Sequence, residues 1–148
     1  MPLRRFLAAI FLLGSVGLAA ELIFIGHVQD ALQQIPLLFI AAGTATLIWD
    51  AAQPSVWSLR LFRAAAVLLI AGGLLGVALH YQSNVEFERE MYPDLSGFQL
   101  IREALAGAIP ALAPGALVQL GLVGLAYAYH PSTKQDAPSV IEGQEKTL

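Results

Sequence analysis

The chain has no cysteine. That absence removes disulfides, thiolate metal sites and thiol redox chemistry together. Membrane bundles that make disulfides through quinones depend on cysteine pairs, so that class is excluded. Charge is scarce as well. Charged residues are 13% of the 148, where a soluble domain carries about 25%. Eight basic residues stand against eleven acidic ones, for a net charge of −3. No basic patch is available to neutralise phosphates, which argues against a nucleic-acid partner. No nucleophile–base pair and no phosphate-binding loop is visible, so the chain reads as non-enzymatic. It has no repeat of fixed period and no low-complexity tract.

What remains is apolar. Hydrophobic residues make up 57% of the chain and the mean hydropathy is +0.65. This places it in the membrane class, with room for one bundle. The expected fold is all-α: an integral membrane four-helix bundle, with an extended third helix and a short outer interfacial helix. Its solvent is the lipid bilayer.

Four apolar runs carry that expectation. The first, residues 6–26, follows Arg4 and Arg5 and has close to the ~20 residues that cross hydrocarbon. A cleaved signal peptide is the alternative, with Leu18-Ala19-Ala20 as a cleavage site. Against it, the run resumes after Glu21 as Leu22-Ile23-Phe24-Ile25. The second span covers residues 35–50, with Pro36 expected in the first helical turn, where no N–H is needed. Asp50 to Ser58 reads as a turn, bracketed by Trp49 and Trp57 as tryptophans bracket a membrane interface. Ser55 is the expected N-cap of the third helix.

That third helix spans the membrane over residues 59–80. It meets no breaker until Pro93, so it is expected to run from Val56 to Tyr92, about 55 Å. Its last turns then stand clear of the ~30 Å core. Phe98, Ile101 and Leu105 recur at helical spacing and predict the interfacial helix. The fourth span is placed at residues 107–129. Residues 131–148, rich in Pro, Ser, Gln and charge, are expected to form a disordered cytoplasmic tail.

Basic residues set the orientation. Arg4, Arg5, Arg60, Arg63, Lys134 and Lys146 fall on one side of a four-span path. The opposite loops hold Asp30 in one, and Glu86, Glu88, Glu90, Asp94 and Glu103 with Arg89 and Arg102 in the other. The expectation is a multi-pass protein of the cell membrane with both termini cytoplasmic.

Candidate site residues gather toward the outer side. Glu21 is a carboxylate inside a span, which marks a functional position by default. Gly14 and Gly17 share its face, and small residues mark close helix approach. His80 follows Gly72, Gly73 and Gly76 on one face of the third helix, and Asn84 and Glu88 extend that face. His27 closes the first span at a similar depth. Two histidines on different spans at one depth can ligate a haem or a divalent metal. Pro110, Pro114 and Gly115 break the start of the fourth helix, and non-helical backbone at that depth lines a wet cavity or is buried. Gln34 opens the second span at the same level.

These residues predict one polar outer pocket, formed by Glu21, His27, Gln34, His80, Asn84, Glu88, Pro110, Pro114 and Gly115. The leading reading is ligand or partner binding. A second is a haem- or metal-binding electron-transfer subunit that uses His27 and His80. A third is a proton- or ion-coupled carrier that uses Glu21 and, given its size, a homo-oligomer. Membership of a larger membrane complex fits the same composition.

Overall fold

A computed structural model describes residues 3–107 and 109–129. They form five helices and no strand: α1 Leu3–Phe24, α2 Ala31–Ala52, α3 Val56–Met91, α4 Gly97–Ala106 and α5 Gly115–Tyr129. The tail, with His130, Lys134 and Lys146, lies outside the described residues. Helices α1, α2 and α3 are each long and apolar enough to cross a membrane, and α5 is a shorter apolar helix.

Local chemistry explains each boundary. Gly26 adopts a φ of 72° just past α1. The His27 N–H donates to the Leu22 carbonyl (2.8 Å) and the Gly26 N–H to that of Ile23 (3.1 Å). This is a Schellman closure, which needs a left-handed residue that glycine adopts without strain. It also fixes where His27 leaves the helix. Asp30 caps α2, its carboxylate accepting from the Gln33 N–H at 2.9 Å. The helix therefore begins at Ala31, and Pro36 sits in its second turn rather than its first. The expectation for Pro36 is corrected because the Asp30 cap outweighs the absent proline N–H as a start signal.

Ser55 and Ser58 form a capping box at the head of α3. The 36 residues of α3 extend unbroken, about 54 Å at 1.5 Å each. Met91 is its last residue, two before Pro93, as expected where a proline disfavours helix in the residue before it. The fourth apolar run is not helical throughout. Pro110 and Pro114 hold the chain in turns closed by i to i−3 bonds, such as Ala113 N–H to Pro110 O at 3.2 Å. Helix α5 starts only at Gly115 and has 15 residues, about 22 Å.

Four helices pack in a ring in the cyclic order α1, α2, α3, α5, and α4 lies on α3. Backbones meet most closely between α3 and α5. A Cβ added at Gly121 would stand 2.6 Å from the Ala66 carbonyl oxygen, and one at Gly73 2.8 Å from that of Pro114. The core lies toward the Arg4 end. Phe11 is fully buried, with its ring edge between Gly43 of α2 and Gly124 of α5. It meets Phe62 edge-on at 5.4 Å, and Phe62 meets Tyr127 at 5.3 Å. Leu47 and Leu69 complete this packed half. The other half, toward His27, is less tightly filled, although Leu100, Ala104 and Asn84 are buried beside it.

Candidate functional site

At the His27 end the ring of helices leaves a cavity of about 550 Å³. Its walls come from α1 (Leu18, Leu22), α2 (Ile35, Phe39), α3 (Leu75, Leu79) and Leu117 of α5. Gly72 and Gly76 line it too, and each has a neighbour pressed against it. A Cβ at Gly72 would stand 2.8 Å from the Phe39 ring, and one at Gly76 2.7 Å from Pro114 Cβ. Side chains there would fill the space, so the glycines keep both the contact and the opening. Leu32, Leu68, Leu75 and Leu79 in the wall are exposed, so the cavity opens to the flank of the bundle.

Polar groups occur at one end only. They are Glu21 on α1, His27 and Asp30 in the link, Gln33 on α2 and His80 on α3. The His27 and His80 rings stand edge to face with centroids 6.3 Å apart. They join α1 to α3 across the ring diagonal. His80 Nδ1 lies 3.2 Å from the Pro110 carbonyl oxygen. A carbonyl only accepts, so in this contact Nδ1 carries a proton and donates. Among the described residues no three His, Asp or Glu side chains converge as a metal-ligand group.

Of the residues singled out in sequence, Glu21, His27, His80 and Pro114 line the cavity. Glu21 is an exposed residue of that lining. Gly14 of its face packs on Leu120, whereas Gly17 meets nothing within 4 Å. Gln34, Asn84, Glu88, Pro110 and Gly115 stand outside the lining. Gln34 donates to the Val28 carbonyl at 3.2 Å. Pro110 takes part through its carbonyl alone.

Asn84 does something else. It is 1% exposed. Its amide donates to the carbonyls of Ala104 (2.9 Å) and Ile109 (2.6 Å), and its oxygen accepts from the Ile109 N–H (3.2 Å). A side chain of α3 thus satisfies the backbone where α4 ends and the proline segment begins. Gly107 permits this, since a Cβ there would stand 2.8 Å from the Asn84 amide carbon.

Sequence reasoning missed a second polar cluster, at the opposite end. Asp50 is 1% exposed. Its Oδ2 accepts from Arg4 (2.5 Å) and from the Tyr127 hydroxyl (2.9 Å), and its Oδ1 from the Ser58 hydroxyl (2.9 Å). The Arg4 guanidinium also lies 4.5 Å from the centre of the Tyr127 ring. One residue from each of α1, α2, α3 and α5 meets here. Nearby, Arg63 of α3 donates to the Ala128 carbonyl at 2.9 Å and closes the end of α5. No protein-family model, no curated protein and no solved structure matches this chain.

Proposed function

We propose that the chain is a four-span membrane protein that holds an amphiphile in the cavity at the His27 end, in the outer half of the bilayer. Helices α1, α2 and α3 and the shorter α5 are its spans. By the positive-inside rule the larger basic group, Arg4, Arg5, Arg60 and Arg63, is cytoplasmic, and Arg89 and Arg102 lie outside among Glu86, Glu88, Glu90 and Asp94. The cavity carries the functional reading. Its volume falls in the roughly 300–1,000 Å³ range of small-ligand sites. Its apolar walls suit a hydrocarbon tail, and its polar end lies at the depth of the headgroups. Because it opens on the flank, a tail can enter from the bilayer. The half around Phe11, Phe62 and Leu69 is packed, which supports binding at one end of the bundle.

The test is native mass spectrometry of protein purified in mild detergent. A retained amphiphile is expected as a mass adduct, lost in Leu75→Trp, which fills the cavity from its exposed wall. An adduct of unchanged abundance in that variant would overturn the reading.

A metal held by His27 and His80 is the second reading. It is favoured by the Pro110 carbonyl, which orients His80 as backbone carbonyls orient metal-binding histidines. Visible absorbance and metal analysis of the purified protein decide it. A haem band or a stoichiometric metal, lost in His80→Ala, is the supporting result.

A further inference from the structure

Formal charge around the cavity is of one sign. The charged residues in its lining are Glu21 and Asp30, both acidic. His27, Gln33 and His80 complete its polar end, and no lysine or arginine is among them. The basic residues Arg4 and Arg63 are engaged at the far end of the bundle. The part of α3 beyond His80 adds Glu86, Glu88 and Glu90 against Arg89. Any headgroup at this opening therefore meets an acidic field next to a low-dielectric wall, where charge interactions are strengthened. The partners already in place do not cancel it. Asp30 uses Oδ1 to cap α2, which leaves Oδ2 available.

From this charge pattern we infer that the occupant is a single-chain amphiphile with a cationic, ammonium-type head. Its tail lies along Phe39, Leu75 and Leu79, and its head lies at the carboxylates of Glu21 and Asp30. This rests on the cavity being a ligand site and adds which head it selects. An anionic head of the same chain length is repelled, and an uncharged one is held by its tail alone.

The experiment uses the full chain in nanodiscs of zwitterionic lipid. Three spin-labelled probes share one alkyl chain and differ in the head: trimethylammonium, hydroxyl or sulfate. The readout is the motionally restricted fraction of the electron paramagnetic resonance spectrum against probe concentration. The ammonium probe is expected to be restricted at about tenfold lower concentration than the sulfate probe, with the hydroxyl probe between. In the double variant Glu21→Gln, Asp30→Asn that separation is expected to collapse. Asparagine caps helices as well as aspartate does, so α2 keeps its start and the variant folds. Equal restriction of all three probes in the wild type, or a preference that survives in the double variant, overturns the head-group inference and leaves the cavity standing. If no probe is restricted more in the wild type than in Leu75→Trp, the cavity reading fails and this inference with it.

Discussion

Arg4 and Asp50 lie 46 positions apart in sequence and meet as an ion pair at the end of the bundle opposite the cavity. Tyr127 and Ser58 share the same carboxylate. Taking one partner from a buried pair leaves the other uncompensated, at a cost on the order of 3–5 kcal/mol. Asp50→Ala is therefore expected to lower the thermal unfolding midpoint in detergent far more than Ser58→Ala. The double variant Arg4→Met, Asp50→Leu is expected to recover most of the loss, because apolar replacement of both partners removes the unpaired charge. A single Asp50→Ala as stable as wild type would show that the pair does not hold the four helices together. The pair bears on the first segment as well. Cleavage near Ala20 would remove Arg4 from Asp50, so α1 is expected to remain in the mature protein, as N-terminal sequencing can check.

Glycines on different helices are expected to respond in opposite directions. At Gly121 a Cβ meets the backbone of Ala66, which cannot move aside. Gly121→Ala is expected to cost about 1–3 kcal/mol through forced separation of α3 and α5. At Gly17 a Cβ meets nothing. Gly17→Ala is expected to stabilise α1 by about 0.5–1 kcal/mol from helix propensity. Unfolding midpoints of the two variants, measured together, check the sign of each.

Asn84→Ala is expected to leave the carbonyls of Ala104 and Ile109 and the Ile109 N–H without their partner. Each buried group so stranded costs about 1–3 kcal/mol. Hydrogen exchange at the Ile109 amide is the direct readout, and it is expected to speed up while exchange in the Phe11 core is unchanged. Unchanged protection at Ile109 would show that Asn84 does not anchor the proline segment.

Since the chain has no cysteine, a single introduced thiol reports topology without background. Gln53→Cys, between α2 and α3, and Asp94→Cys, beyond α3, are expected to react from opposite sides of a sealed vesicle. Labelling of both from one side would contradict the four-span path.

The long helices α1 and α3 were legible because apolar runs and breakers are local signals, whereas α2 starts four residues before the expected span and α5 eight after the expected start. The absence of any breaker between Ser55 and Pro93 foretold the 36-residue α3. The meeting of His27 and His80 was legible too, since rise per residue sets their level along the helices, and the two rings do lie side by side. Rotation about each helix axis was not. Asn84 and Glu88 follow His80 by one and two turns, about 6 and 12 Å further along α3, and so lie beyond the cavity lining, whereas Gln34 is turned away from it, toward the Val28 carbonyl. The expected polar character holds at one end only, for the walls are apolar, with leucine the commonest residue. Asp50 was read as part of a turn, the ordinary place for an aspartate before a Gln-Pro pair. A usable signal existed: a carboxylate at the depth of Arg4, eight residues before Ser58. Its partner on α5, Tyr127, is 77 positions away and had no local mark.

The cavity can be mapped in place with an alkyl amine that carries a photoreactive diazirine at mid-chain. Protein in nanodiscs is irradiated with a low concentration of this probe, digested, and its modified residues located by mass spectrometry. An occupied cavity predicts labels concentrated on Phe39, Leu75 and Leu79 and displaced by excess unlabelled alkyl amine. Labels spread evenly over other exposed apolar residues, such as Leu13 and Leu38, and insensitive to that excess would contradict it.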